Sequence, residues 1–166
     1  MEVLQAIKTR RSIRKYKKDP VPQEELEKVL DAGRWAPSAS NLQPWKFIVI
    51  SDLEVKERVA KSLAWGIFLA EAPMGIAVVA DPGASSHPVE DGSIAAYSML
   101  LAAHAVGLGG CWLNPSTSEE EVKEILGIPK EHRLISVISI GYPAEAPSTT
   151  RKELKDITFA NRYGSK

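Results

Sequence analysis

From Gly92 to Val106 the chain spells a helix that is apolar nearly all round. Its side chains include Ile94, Ala95, Ala96, Tyr97, Met99, Leu100, Leu101, Ala102, Ala103 and Ala105. A surface helix keeps a polar face, so this one must lie in the core or against another subunit. Its many alanines permit close packing of neighbouring helices. Asp91 is expected to cap its start, and Gly107-Leu-Gly-Gly110 to terminate it. Whatever else folds here has to cover that helix.

The covering elements can be read from periodicity. Val3, Leu4 and Ile7 predict a short helix over 2–9, and Asp19-Pro-Val-Pro22 breaks the chain. Pro22 suits the first turn of a helix carrying Leu26, Val29, Leu30 and Gly33 on one face, through about Trp35. Asp52 can cap a helix with Val55, Val59 and Leu63 on one side, and 65–71 reads ambiguously, with a further helix as one option. Ser118-Glu-Glu-Glu121 has the form of a capping box before a helix stopped by Gly127 and Pro129. Strands are expected at Phe47–Ile50, Met74–Ala80, Cys111–Leu113 and Leu134–Ile140. Helices and about four strands without regular βαβ alternation predict an α+β fold, and 166 residues suit a single domain over 1–166.

Charge and composition remove several function classes. Twenty-one basic residues balance 21 acidic ones, which argues against general nucleic-acid or membrane-surface binding. The most apolar run, Leu63–Ala80, contains Glu71, Pro73 and two glycines and does not read as a membrane span. One cysteine, Cys111, excludes an internal disulfide and suits a reducing compartment. The start Met-Glu-Val-Leu-Gln lacks the pattern of a signal peptide, so a soluble, cytoplasmic protein is expected.

Two stretches offer binding chemistry. Arg10, Arg11 and Arg14 place three guanidiniums within five residues around Ser12. Either an anion such as phosphate satisfies them, or they form a solvated helix end complementing its dipole. The loop Ala36-Pro-Ser-Ala-Ser-Asn-Leu-Gln-Pro-Trp45 is longer and more polar than a plain connector needs to be. Elsewhere the signals are structural. Gly107–Gly110 follows a helix and precedes a strand, the reverse of a Rossmann phosphate loop. Cys111 reads as a buried thiol, His104 as a hydrogen-bonded core or interface residue, and His87, Glu90 and Asp91 as loop and cap rather than a metal cluster. Trp45 and Trp112 could each wall a planar ligand or simply pack in the core. Neither a metal site nor a triad appears, and a protein with such a residue set could let a cofactor carry the reaction.

Taken together, the segments resemble the FMN-dependent nitroreductase family. The matching pieces are Arg10-Arg-Ser-Ile-Arg-Lys-Tyr16, Ala36–Trp45, Asp91-Gly-Ser-Ile-Ala95, Gly107-Leu-Gly-Gly-Cys-Trp112, Ile140-Gly-Tyr-Pro143 and a tail with Arg151-Lys152 and Asn161-Arg-Tyr-Gly164. They keep the family's order over essentially the whole chain.

The resemblance implies a mainly antiparallel central sheet flanked by helices in an intertwined homodimer, with FMN at the subunit interface. Helix 92–106 would form the dimer core, and the tail 143–166 would wrap the partner. By position, Arg10, Arg11, Ser12 and Arg14 would contact FMN from one subunit, with Arg10 and Arg151 on the phosphate and Arg14 toward the N1/O2 edge. Pro37, Ser38, Ala39, Asn41 and Gln43 would come from the other subunit, and Trp112, Leu113 and Asn114 would border the ring. Pro115 stands where some relatives have a glycine whose N–H meets flavin N5, and proline has no such donor. Either Asn114 donates instead or the local match shifts by one residue. The implied activity is ping-pong hydride transfer from NAD(P)H to a nitroaromatic, quinone or similar small acceptor. A dehalogenase, a flavin-fragmenting enzyme and a non-enzymatic flavin carrier are the alternatives.

Overall fold

The computed structural model describes residues 1–165. Its sheet has four strands, β1 (Trp45–Ile50), β2 (Met74–Ala80), β3 (Gly109–Leu113) and β4 (Arg133–Gly141). They lie in the order β1-β2-β4-β3, and every neighbouring pair is antiparallel. With helices against both faces, this is the α+β arrangement expected from the sequence.

β2 shows why the sheet has two layers around it. It lies between β1 and β4 and is buried along its whole length. Ile76 and Val78 pack in a cluster with α2 (Gln23–Arg34) and α5 (Pro88–Ala105). Ala77 and Val79 pack in a second cluster with α3 (Leu53–Ser62), α4 (Ile67–Glu71) and α6 (Glu119–Leu126). Successive side chains of a strand point to opposite faces, so a strand covered on both sides reads as one apolar run.

The helix that dominates the sequence, α5, is covered on one side only. Ala95, Ala96, Met99 and Ala103 are fully buried, and truncating Met99 to alanine would cost about 2–5 kcal/mol. Ile94 and Tyr97, by contrast, keep 40% and 42% of their surface exposed. Beside it, α1 (Val3–Thr9) leaves Val3, Leu4 and Ile7 exposed. The tail past Pro143 contains one short helix, α7 (Leu154–Ile157), and its Leu154, Ile157 and Phe159 are likewise open.

Several boundaries differ from the sequence expectations; β3, for one, starts at Gly109 rather than Cys111, and Pro22 caps α2 from outside its first turn. α5 begins at Pro88 rather than Gly92, because proline at the first helical position forfeits no hydrogen bond. Asp91 therefore sits inside the first turn and is not the cap. Ser118 makes no capping hydrogen bond at α6; instead the Glu119 carboxylate accepts from Arg133 Nε and Leu134 N, each at 3.0 Å. β1 starts two residues early, at Trp45, whose indole packs with Ala36 and Ala95. Trp45 is thus a core residue. The open segment 65–71 resolves into α4.

Candidate functional site

The basic segment is held by backbone pairing more than by its own propensity. Ser12 bridges Gly110 in parallel, and Ile13 N donates to Gly110 O at 3.0 Å. Tyr16 bridges Pro143, and Lys17 N donates to Tyr142 O at 2.9 Å. The Glu145 carboxylate accepts the backbone N–H groups of Arg14 and Lys15 at 2.5 and 3.1 Å. Tyr16 adds a buried hydroxyl bonded to Ile13 O and Ser139 Oγ, and burial pushes its pKa upward. Residues 12–17 are therefore sewn between β3 and the chain leaving β4. Gly109 makes this approach feasible, because a Cβ there would lie 2.6 Å from Ile13 Cγ1.

The two readings of the arginine cluster divide between residues. Arg11 donates to Lys8 O at 2.8 Å and Arg10 O at 2.9 Å, so it caps the carbonyl end of α1. Its Nε is buried without a partner. Arg10, Arg11, Ser12, Arg14 and Arg151 all line one cavity of about 170 Å³, with Thr149 on its rim. Arg151 is steadied there by Thr149 Oγ1 and Thr150 O. Among the described residues, no carboxylate forms an ion pair with any of these four arginines. A small cavity with several uncompensated guanidiniums and a hydroxyl suits a phosphate-sized anion.

Arg14 also lines a second, larger cavity of about 720 Å³ with Trp112, Leu113, Asn114, Cys111 and Phe68. Its guanidinium lies 5.9 Å from the centre of the Phe68 ring. The walls are mainly apolar, with Arg14, Asn114, Ser116 and Thr117 as polar members, and the volume suits a drug-sized planar ligand. A phosphorylated aromatic cofactor fits the pair of cavities, its anion among the arginines and its ring beyond Arg14. Cys111 is buried, and burial raises its thiol pKa against a smaller opposing effect of Arg14, as a structural thiol requires. No group of three or more His, Cys, Asp or Glu side chains suited to a metal occurs among the described residues.

The loop 36–45 borders neither cavity. Pro37, Ser38, Ala39, Asn41 and Gln43 instead surround a single 3-10 turn, Ala39–Asn41, beside the start of α5. Ser40, Asn41 and Gln43 have φ of 49°, 59° and 49°, a conformation that costs energy for residues other than glycine. Two anchors hold it. Ser38 Oγ accepts from Gln43 N at 2.9 Å, and buried Asp91 accepts from Ala39 N with one carboxylate oxygen and from Ser85 Oγ with the other.

Sequence reasoning missed Phe68, Thr149 and Glu145. Glu145 lies in a tail without periodicity, so nothing local marks it. His104, on α5, lies with Nε2 2.7 Å from Thr9 Oγ1, which fits the hydrogen-bonded role expected of it.

A sequence model described as the nitroreductase family matches residues 7–81 and 62–142. A protein from Methanothermobacter thermautotrophicus, provisionally named NADH dehydrogenase/NAD(P)H nitroreductase, is 43% identical over 155 residues, covering 90% of this chain and 81% of its own. An FMN-dependent nitroreductase from Clostridium difficile superposes with a TM-score of 0.91 at 33% identity, covering 96% of this chain and 99% of its own. A provisionally assigned nitroreductase from Desulfovibrio desulfuricans, solved in complex with FMN, gives a TM-score of 0.91 at 31% identity, with 98% of each chain covered.

Proposed function

This chain belongs to the nitroreductase family, and from that premise we propose that it is a homodimeric FMN-dependent oxidoreductase drawing on NADH or NADPH. Its acceptor is a nitroaromatic, a quinone or a similarly small planar oxidant. The observation that carries this reading is the meeting of the two cavities at Arg14. One offers unpaired guanidiniums for a phosphate and the other apolar walls for a fused ring.

When bound, FMN supplies the centre that accepts and returns the hydride, so the protein needs no side-chain base of its own. Arg10, Ser12 and Arg151 bind the phosphate through charge-assisted donors and a hydroxyl, with Arg11 completing the cavity wall. Arg14 presents a fixed cation to the ring edge that gains negative charge on reduction. Trp112 and Leu113 exclude water from the ring cavity, and Asn114 supplies an N–H where Pro115 has none. Donor and acceptor then use the same exposed ring face in turn.

The second subunit contributes Pro37, Ser38, Ala39, Asn41 and Gln43 in this reading. Support comes from the exposed apolar faces of α1 and α5, which a second copy would cover. The tail 143–166 wraps that copy through Leu154, Ile157 and Phe159, as an extension of one domain spanning 1–166. The membrane plays no part in the proposal, and no helix among the described residues is long and apolar enough to cross one.

Purified protein should be yellow and release FMN rather than FAD, and it should oxidise NADH or NADPH steadily when an acceptor is added. Colourless protein that FMN cannot reconstitute would overturn the reading. Bound FMN without steady turnover would instead make the protein a carrier. An iodotyrosine deiodinase from Thermotoga neapolitana is 28% identical over 89% of this chain, so a halogenated tyrosine belongs in the acceptor panel.

A further inference from the structure

A third cavity, of about 580 Å³, adjoins the ring cavity and shares Trp65 and Ile67 with it. Its other walls include Glu57, Lys61, Leu63 and Ala70. Trp65 is 90% exposed and Ile67 79%, although both are large apolar side chains. Trp65 has φ of 64°, an outlier for a bulky residue, of the kind found at ligand clamps. The turn behind it is tight, because Gly66 N donates to Leu63 O at 2.9 Å. An exposed indole held in a costly conformation between two cavities calls for a ligand that uses both.

The polar groups narrow the chemistry. Glu57 and Lys61 lie four residues apart on α3, yet neither is engaged in an ion pair among the described residues. Their head groups are free to act separately. A carboxylate accepts from ribose hydroxyls, an ammonium binds phosphate as a point charge, and an indole stacks on a base. A nucleotide carries all three together, and the oxidoreductase reading supplies one.

We propose that this groove holds the adenosine half of the nicotinamide dinucleotide while its nicotinamide reaches the ring cavity past Trp65. The adenine stacks on Trp65, Lys61 meets a phosphate, and Glu57 meets a ribose hydroxyl. This rests on the oxidoreductase reading above. It adds where the donor's non-reacting half is bound, and that half contributes binding energy without chemistry.

The test compares donors with and without that half on the FMN-loaded protein. ADP-ribose, which has no nicotinamide, should bind in calorimetry, and Trp65→Ala should weaken it roughly tenfold. Lys61→Gln should also weaken it, while Trp65→Phe restores most of the affinity. In kinetics, Trp65→Ala should raise KM for NADH and NADPH more than for reduced nicotinamide mononucleotide, which lacks adenosine. All three side chains are exposed, so the variants should fold. Undetectable ADP-ribose binding, or equal KM shifts for the long and short donors, overturns the adenosine site and leaves the oxidoreductase reading standing. Failure of the unmodified protein to oxidise any of the three donors overturns both.

Discussion

Asp91 Oδ1 accepts the backbone N–H of Ala39 at 2.9 Å, joining residues 52 positions apart. Its second oxygen takes the Ser85 hydroxyl at 2.6 Å, so a buried carboxylate without a cation is satisfied by neutral donors. The loop it holds has three non-glycine residues in the left-handed region. Asp91 therefore sets the shape of the loop that the proposed dimer presents to the neighbouring site.

Asp91→Ala should leave Ala39 N–H and Ser85 Oγ without their acceptor, at a cost of about 1–3 kcal/mol. Thermal denaturation should show it as a lower midpoint, by roughly 2–4 °C per kcal/mol for a chain of this size. FMN affinity should fall as well, although Asp91 lines neither cavity. An unchanged dissociation constant would detach the loop from the cofactor site.

Arg10→Ala and Arg151→Ala should each weaken FMN binding by about 1.5–3 kcal/mol, roughly 10- to 100-fold in Kd. Flavin fluorescence on titration of the apoprotein measures this. Arg11→Ala should behave differently, losing stability through the carbonyls of Lys8 and Arg10 that it caps. Equal FMN affinity in the Arg10 and Arg151 variants and the parent would remove the phosphate from this cavity.

If each site draws on two subunits, inactive Arg14→Ala and Asn41→Ala proteins should complement one another. Half the dimers in a random mixture would be mixed, each with one intact site, so activity should recover to roughly a quarter of the parent's. The assay is turnover after unfolding and refolding the two together. No recovery would place both residues in the site of a single chain.

Burial lowers the pKa of His104 from 6.5, and the charges of Arg10 and Arg11 add to the shift. The unfolded chain then takes up this proton before the folded one does. Stability is therefore full above about pH 6.5 and declines as the pH falls toward the lower folded value. Urea midpoints should fall between about pH 7 and 5, and His104→Gln should flatten that slope. A slope unchanged by the substitution would assign the proton to another group.

Much of this could be read from residue patterns. The apolar run 74–80 announced a strand covered on both faces, because two-sided burial erases alternation. Arg10, Arg11 and Arg14 declared themselves by sequence proximity, whereas Arg151 joined them only through the family resemblance. Other features depend on distant partners. Asp91 carries the local signature of a helix cap, but its carboxylate is captured by Ala39, and no short window shows that. Glu145 is one acidic residue in an aperiodic tail until β4 delivers it beneath Arg14. Trp65 escaped notice because a positive φ leaves no trace in hydrophobic periodicity.

The stitching of residues 12–17 to Gly110, Tyr142 and Glu145 has a consequence for biosynthesis. The arginines leave the ribosome well before their clamp, since Glu145 follows Arg14 by 131 residues. Strands β1 and β2 can pair long before then, while the anion cavity has no fixed shape until Glu145 emerges and no Arg151 until later still. A formed anion cavity thus reports that synthesis has passed Arg151, and a chain released before position 145 has a sheet to fold but no anion pocket to fill.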